Sequence, residues 1–157
     1  MSVSARLRQF LDEKRVKYVT VSHSPAYTAQ EVAASVHVPG RELAKSVVVN
    51  ADGQFALGVL PAPRRIDLGL LKKAVGAKNL RLATEAEFEK LFPDCETGAM
   101  PPFGNLYGLR VWADESLKED AEIVFNAGSH TDTVKMSYTD FERLVVPTVA
   151  KFAERSA

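Results

Sequence analysis

The stretch Leu43-Ala44-Lys45-Ser46-Val47-Val48-Val49-Asn50-Ala51-Asp52-Gly53-Gln54-Phe55-Ala56-Leu57-Gly58-Val59-Leu60 decides the fold class. Its two arms are rich in β-branched and apolar residues, and Ala51-Asp52-Gly53-Gln54 between them is a turn. Residues 43–50 and 55–60 are therefore expected to pair as a β-hairpin, since Asp-Gly suits a tight hairpin loop. Upstream, Thr28-Ala29-Gln30-Glu31 is a capping box, in which each end's side chain satisfies a free amide of the first turn. It opens a helix through about Val36, which Pro39-Gly40 stops. Before it, residues 16–22 suit a strand. Val3, Leu7, Phe10 and Leu11 recur at the spacing of an amphipathic helix.

Downstream, Asp67 starts a helix through Val75 that ends at Gly76, and residues 80–83 suit a short strand. Thr84 to Glu87 forms a second capping box, with a helix to Phe92. Residues 107–112, 121–126 and 130–136 read as three more strands. Thr139 to Glu142 reads as a third capping box, opening a last helix broken at Pro147. Strands in hairpin and meander order with inserted helices indicate an α+β fold with a mixed, mostly antiparallel sheet. A single domain over residues 1–157 is expected.

Composition narrows the function. Hydrophobic residues make up 46% of the chain and charged residues 25%, an ordinary globular balance. Twenty basic and 20 acidic residues give zero formal net charge, so any contact with nucleic acid must be local. The single cysteine, Cys95, leaves no internal disulfide and agrees with a reducing compartment. Residues 1–6 lack the character of a signal peptide, and no apolar run is long enough to span a bilayer. A cytoplasmic location is expected, with neither membrane nor DNA as a partner. There is no phosphate-binding Walker loop, no GxSxG elbow and no HExxH pair, and His23, His37 and His130 offer no zinc-ligand spacing. A pairing of Cys95 with a histidine stays open, although Cys95 follows Pro93-Asp94 at a helix exit.

Four features carry chemistry. Lys45 falls on a strand face with Leu43, Val47 and Val49, so its ammonium either snorkels to water or stands at the mouth of a pocket. The loop Gly98-Ala99-Met100-Pro101-Pro102-Phe103-Gly104 is expected to be rigid and exposed. It is either a structural crossover or a wall of backbone amides able to hold a polar group. In the strand of residues 130–136, His130, Asp132, Val134 and Met136 share one face. His130 is then a core residue or a pocket wall, with Asp132 able to fix its tautomer. Finally, Arg64, Arg65, Lys72, Lys73, Lys78 and Arg81 are a solvated face or a local phosphate-contacting surface.

Taken in order and spacing, these segments resemble the YbaK/prolyl-tRNA editing family of aminoacyl-tRNA deacylases. The resemblance runs from Ser22-His23-Ser24-Pro25 through Leu43-Ala44-Lys45-Ser46-Val47-Val48-Val49 and the loop of residues 98–104 to Asn126-Ala127-Gly128-Ser129-His130. It implies a partly closed barrel flanked by helices. It also implies hydrolysis of the ester between a wrong, small amino acid and tRNA, most simply tRNA-Pro, assisted by the vicinal ribose hydroxyl. No metal or other cofactor is implied. The resemblance casts Lys45, Gly98 and His130 as catalytic residues. Ser46, Met100, Pro101, Pro102, Phe103, Gly104, Ser129 and Asp132 would contact the substrate. The implied partners are the aminoacyl-tRNA acceptor end and prolyl-tRNA synthetase. The alternative is a non-catalytic module of the same fold that binds tRNA or a synthetase. Ser46 stands where the alanine-specific branch has asparagine, and the 98–104 loop differs from that of the cysteine-specific branch. The amino acid removed is therefore left open.

Overall fold

The hairpin forms as its turn requires. Strands β2 (Ala44–Ala51) and β3 (Gln54–Pro61) pair antiparallel around Asp52 and Gly53. Both turn residues have positive φ, 51° and 88°, the geometry that matches a two-residue loop to the twist of the flanking strands. The turn is also tied to its surroundings: the Asp52 carboxylate accepts the amides of Lys78 and Asn79. The computed structural model describes residues 3–36 and 38–155; His37 lies outside the described residues.

Around the hairpin the chain builds a mixed sheet in the order β5-β2-β3-β6-β9. Strands β5 (Leu80–Leu82), β6 (Arg110–Asp114) and β9 (Thr148–Ala150) complete it, and β3–β6 and β6–β9 are parallel pairs. A second sheet, β1-β8-β7, is antiparallel and consists of Tyr18–Ser22, Asp132–Ser137 and Glu122–Ser129. The short strands β4 (Arg64–Ile66) and β10 (Ala153–Arg155) form a third. A parallel bridge between Leu43, just before β2, and Val124 of β7 links the first two sheets. The fold is thus mixed α+β and mostly antiparallel. Its described strands divide among three sheets, none of which closes into a barrel.

Helices α1 (Ala5–Glu13), α2 (Ala29–Ser35), α3 (Leu68–Val75), α4 (Glu85–Leu91) and α5 (Tyr138–Val145) pack around these sheets. Thr28 and Thr84 cap α2 and α4 in complete capping boxes with Glu31 and Glu87. The third box does not form. The cap of α5 is Ser137, whose hydroxyl accepts the Asp140 amide, and Thr139 lies inside the first turn. Ser137-x-x-Asp140 offers the same chemistry two residues earlier, directly at the end of β8. The strand expected at residues 107–112 starts only at Arg110. Residues Gly104–Tyr107 form a 3-10 turn that Gly108 ends at φ 71°.

The main core joins Leu7 and Leu11 of α1 to Val48, Leu57 and Val59 of the hairpin and to Ile123, Phe125, Val134 and Met136 of the second sheet. Phe103 stands at its centre, its ring 5.5 to 6.0 Å from those of Phe125, Phe141 and Phe10. A smaller core of Val49, Leu60, Leu71, Trp112 and Phe152 lies on the other face of the hairpin. The strands after Pro147 were not expected. Asp114, only 1% exposed, organises the turn that leads into β10. Its carboxylate accepts the amides of Phe152 and Ala153, both at 2.8 Å, and the amide and hydroxyl of Ser116.

Burial alone would raise the Asp114 pKa, but the hydrogen bonds from Phe152, Ser116 and Ala153 outweigh it and hold the carboxyl below its ordinary value of 3.8. A depressed folded-state pKa contributes stability above the unfolded pKa and loses it as pH falls through the folded one. Asp114→Asn should therefore lower stability at neutral pH by about 2 kcal/mol, which is roughly 4–8 °C in melting temperature. Thermal melts should show the gap to the native protein narrowing below about pH 3.8. A gap that stays constant down to pH 2 would exclude this role for the carboxylate.

Candidate functional site

The bridge between Leu43 and Val124 places Lys45 and Asn126 level with each other, each two residues further along its strand. Between them opens a cleft of about 170 Å³. Lys45, Ser46, Gly98, Met100 and Asn126 line it, Leu43 and Ala44 complete its base, and Tyr27 stands beside them. Lys45 shares the strand face of Val47 and Val49, as the alternation predicts, and is half-buried. Burial pushes its pKa down. Among the described residues it has no ion-pair or hydrogen-bond partner. Ser46 points to the opposite face, with Ala44 and Val48. Its hydroxyl oxygen and the Asn126 side-chain oxygen are both buried without a hydrogen-bond partner among the described residues. A partly desolvated cation and two unsatisfied polar atoms in one small cleft are costly unless a polar ligand completes them.

Gly98 supplies the remaining polar edge. It is exposed, with φ 89°, and its N–H makes no hydrogen bond to another described residue. Its position is fixed by β7, whose register is irregular between Asn126 and Ser129. There Gly128, at φ 101°, accepts the Glu96 amide at 2.8 Å and donates to the Ala99 carbonyl at 2.9 Å. The His130 ring reinforces this clamp: Nε2 donates to the Thr97 carbonyl at 2.9 Å, and the His130 amide donates to the Glu96 carboxylate at 3.3 Å. The start of α1 seals the other side of Gly128, where Ser4 donates its amide to the Ala127 carbonyl and its hydroxyl to Asp94.

Of the residues expected at the site, Lys45, Ser46, Gly98 and Met100 meet in the cleft. His130 stands behind Gly98 rather than in the lining, its Cε1 3.7 Å from where a Gly98 Cβ would lie. The loop expected to be exposed is exposed only at Gly98; residues 99–104 are buried. Pro101 and Pro102 are among these, and Phe103 is a core ring. Gly104 is a packing glycine, since a Cβ there would meet Val111 at 2.8 Å. Ser129 and Asp132 belong to a separate polar cluster, in which the Asp132 carboxylate accepts the hydroxyls of Ser22, Ser129 and Thr131. Asp132 makes no hydrogen bond to the His130 ring; the Thr97 carbonyl holds the imidazole instead. Tyr27 and Asn126 also line the cleft, where the sequence reading did not expect them. For Asn126 the signal was present: it is the one amide side chain after the apolar run Ile123-Val124-Phe125.

Cys95 has no histidine partner among the described residues; its sulfur lies against the Tyr107 hydroxyl and the Asp94 carboxylate. Burial and the nearby Asp94 carboxylate push its thiol up to about 11, so it stays protonated at neutral pH. Among the described residues, no three His, Cys, Asp or Glu side chains gather as metal ligands, and no helix is long and apolar enough to cross a membrane. In the basic stretch, Arg65 pairs with Glu154 and Arg81 with Glu87, while Lys72, Lys73 and Lys78 are exposed. Arg81 pairs with Asn50 in β2, five residues and so roughly 17 Å along the strand from Lys45.

Residues 23–144 match the family model of the aminoacyl-tRNA editing domain. The chain is 30% identical over 152 residues to the multifunctional Ser/Thr-tRNA deacylase ProXp-y of Escherichia coli K12, covering 94% of this chain and 90% of that one. It is 35% identical over 103 residues to a proline–tRNA ligase of Nitratidesulfovibrio vulgaris, which spans 65% of this chain and 18% of the ligase. A crystal structure of a candidate trans-editing enzyme for prolyl tRNA synthetase superposes with a TM-score of 0.82 at 26% identity, over 96% of both chains.

The clamp at Gly128 is testable by adding one methyl group. A Cβ there would meet Ser4 at 3.0 Å, whereas one at Gly53, also at positive φ, would meet nothing within 4 Å. Gly128→Ala should cost about 1–3 kcal/mol and lower the melting temperature more than Gly53→Ala does. Equal losses would show that only backbone strain matters and that Ser4 does not close the clamp.

Proposed function

The chain belongs to the aminoacyl-tRNA editing domain family, and from that premise we propose that it is a free-standing deacylase that removes a small, wrongly attached amino acid from tRNA. The observation that carries this reading is the unpaired, half-buried ammonium of Lys45 beside the open Gly98 amide and the unpartnered oxygens of Ser46 and Asn126. Pockets for whole drug-sized ligands run from about 300 Å³ upward. A cleft of about 170 Å³ suits only the aminoacyl end of the substrate, with the nucleotide outside.

The reaction asks little of the protein. An aminoacyl ester is already activated, so positioning and a few fixed dipoles supply the acceleration. Water adds to the ester carbonyl, and the negative charge that develops on oxygen faces the Gly98 N–H and the Lys45 ammonium. When the intermediate collapses, the bond to the ribose oxygen breaks and that oxygen leaves as a hydroxyl. The neighbouring ribose hydroxyl is the group best placed to pass the proton. Ser46 and Asn126 supply polar contacts to the amino acid, which suits a side chain such as that of serine or threonine. The His130 ring acts through Thr97, holding the loop that presents Gly98. Selection works as a sieve: a synthetase discriminates weakly between side chains differing by one small group, and a second pocket removes what fits it. The likeness to part of a proline–tRNA ligase supports tRNA-Pro as the carrier and prolyl-tRNA synthetase as a partner.

Purified protein incubated with seryl-, threonyl-, alanyl- and cysteinyl-tRNA should release at least one amino acid well above the uncatalysed rate. Lys45→Ala should lower kcat/KM about 10–150-fold, as expected for losing a charge-assisted contact of about 1.5–3 kcal/mol, with no fall in melting temperature, since the free protein loses an unpaired, partly desolvated charge. If no substrate is hydrolysed while tRNA still binds, the chain is a binding module and the catalytic reading falls.

A further inference from the structure

Tyr27 is 71% exposed, the largest exposure among the big apolar and aromatic side chains after Val146. It sits between Ala26, which is buried, and Thr28, the cap of α2. The Ala26 amide donates to the His130 carbonyl, so the backbone beside Tyr27 is fixed. The Tyr27 ring lies against the His130 imidazole, with 4.7 Å between centroids and 45° between planes. That imidazole is itself pinned to the Thr97 carbonyl. The Tyr27 hydroxyl has no partner among the described residues. An aromatic ring held from one side, open on the other and standing at the rim of the cleft is built to receive a flat group.

We infer that Tyr27, braced by His130, is a stacking platform for the terminal nucleobase of the tRNA acceptor end. The inference rests on the deacylase reading. In that reading the ester lies between Lys45 and Gly98, and it hangs on the ribose of the terminal nucleotide. The base of that nucleotide is one sugar ring away from the ester, and Tyr27 borders the same cleft. The cleft is too small to enclose the base, which must therefore lie at the rim. Single-stranded ends are commonly held by aromatic stacking, which tolerates any base because each has a π-face. Tyr27 is a positioning residue: it touches the nucleotide and not the reacting atoms.

The test combines a protein change with a substrate change. A minihelix of the tRNA acceptor stem is charged either as the natural sequence or with its terminal base removed. Tyr27→Ala should raise KM about tenfold or more on the natural minihelix, with kcat nearly kept. Tyr27→Trp should restore KM, which a merely structural role would not predict. Removing the base should cost the native protein a similar factor and cost Tyr27→Ala nothing further. Additive losses, or an unchanged KM in Tyr27→Ala, would overturn the inference. If the native protein deacylates neither substrate, the deacylase reading fails separately. Binding of the uncharged minihelices then decides the platform: a preference for the natural end that vanishes in Tyr27→Ala supports it, and equal binding of both ends rejects it.

Discussion

The structure depends on one break in a strand. Where β7 loses its register after Asn126, Gly128 takes a φ of 101° that other residues rarely adopt. That conformation lets three separate parts of the chain meet at one point: Ser4 at the start of α1, Glu96 to Ala99 of the loop, and the turn carrying His130. The glycine is needed twice, for its backbone angle and for the space that Ser4 fills. Without the break, β7 would run on into β8 as a plain hairpin, and nothing would hold Gly98 opposite Lys45.

The cleft and its surroundings show opposite treatments of polar groups. Asp132, Asp94 and Asp114 are each surrounded by donors that lower their pKa against the effect of burial. Those carboxylates are finished and belong to the scaffold. Lys45 has no counter-charge among the described residues, and burial alone shifts it. Ser46 and Asn126 keep buried oxygens that have no partner among the described residues. Unsatisfied groups of this kind cost stability, and they persist where a ligand completes them. Buried nitrogens of His23 and His130 also lack partners among the described residues, but only in the cleft do two such atoms lie beside an unpaired cation.

Much of this was legible where the signal was local. Asp52-Gly53 between two apolar runs specifies a hairpin, and Thr28 with Glu31 and Thr84 with Glu87 specify helix starts, because each depends on residues a few positions apart. Ser137 and Thr139 compete because each has an acidic residue three positions on, and the end of β8 decides between them. The three-residue strands β4, β9 and β10 are too short to show alternation. The turn before β10 is set by Asp114, 38 residues earlier in the chain. The site divides in the same way. Lys45 was legible from a charge on an apolar strand, and Gly98 from a Gly-Pro loop. Phe103 was misread because a loop residue can still be the centre of a core. Tyr27 escaped notice because its neighbour His130 lies about a hundred positions away.

The central claim is that the cleft between β2 and the Gly98 loop receives the aminoacyl end. It is tested most directly by backbone and lysine side-chain NMR with an aminoacyl-adenosine analogue whose ester is replaced by an amide. The account predicts saturable shifts at the amides of Ser46, Gly98 and Asn126 and at the Lys45 ammonium. Shifts confined to the separate groove around Arg110 and Trp112, with Gly98 and Lys45 unmoved, would contradict it.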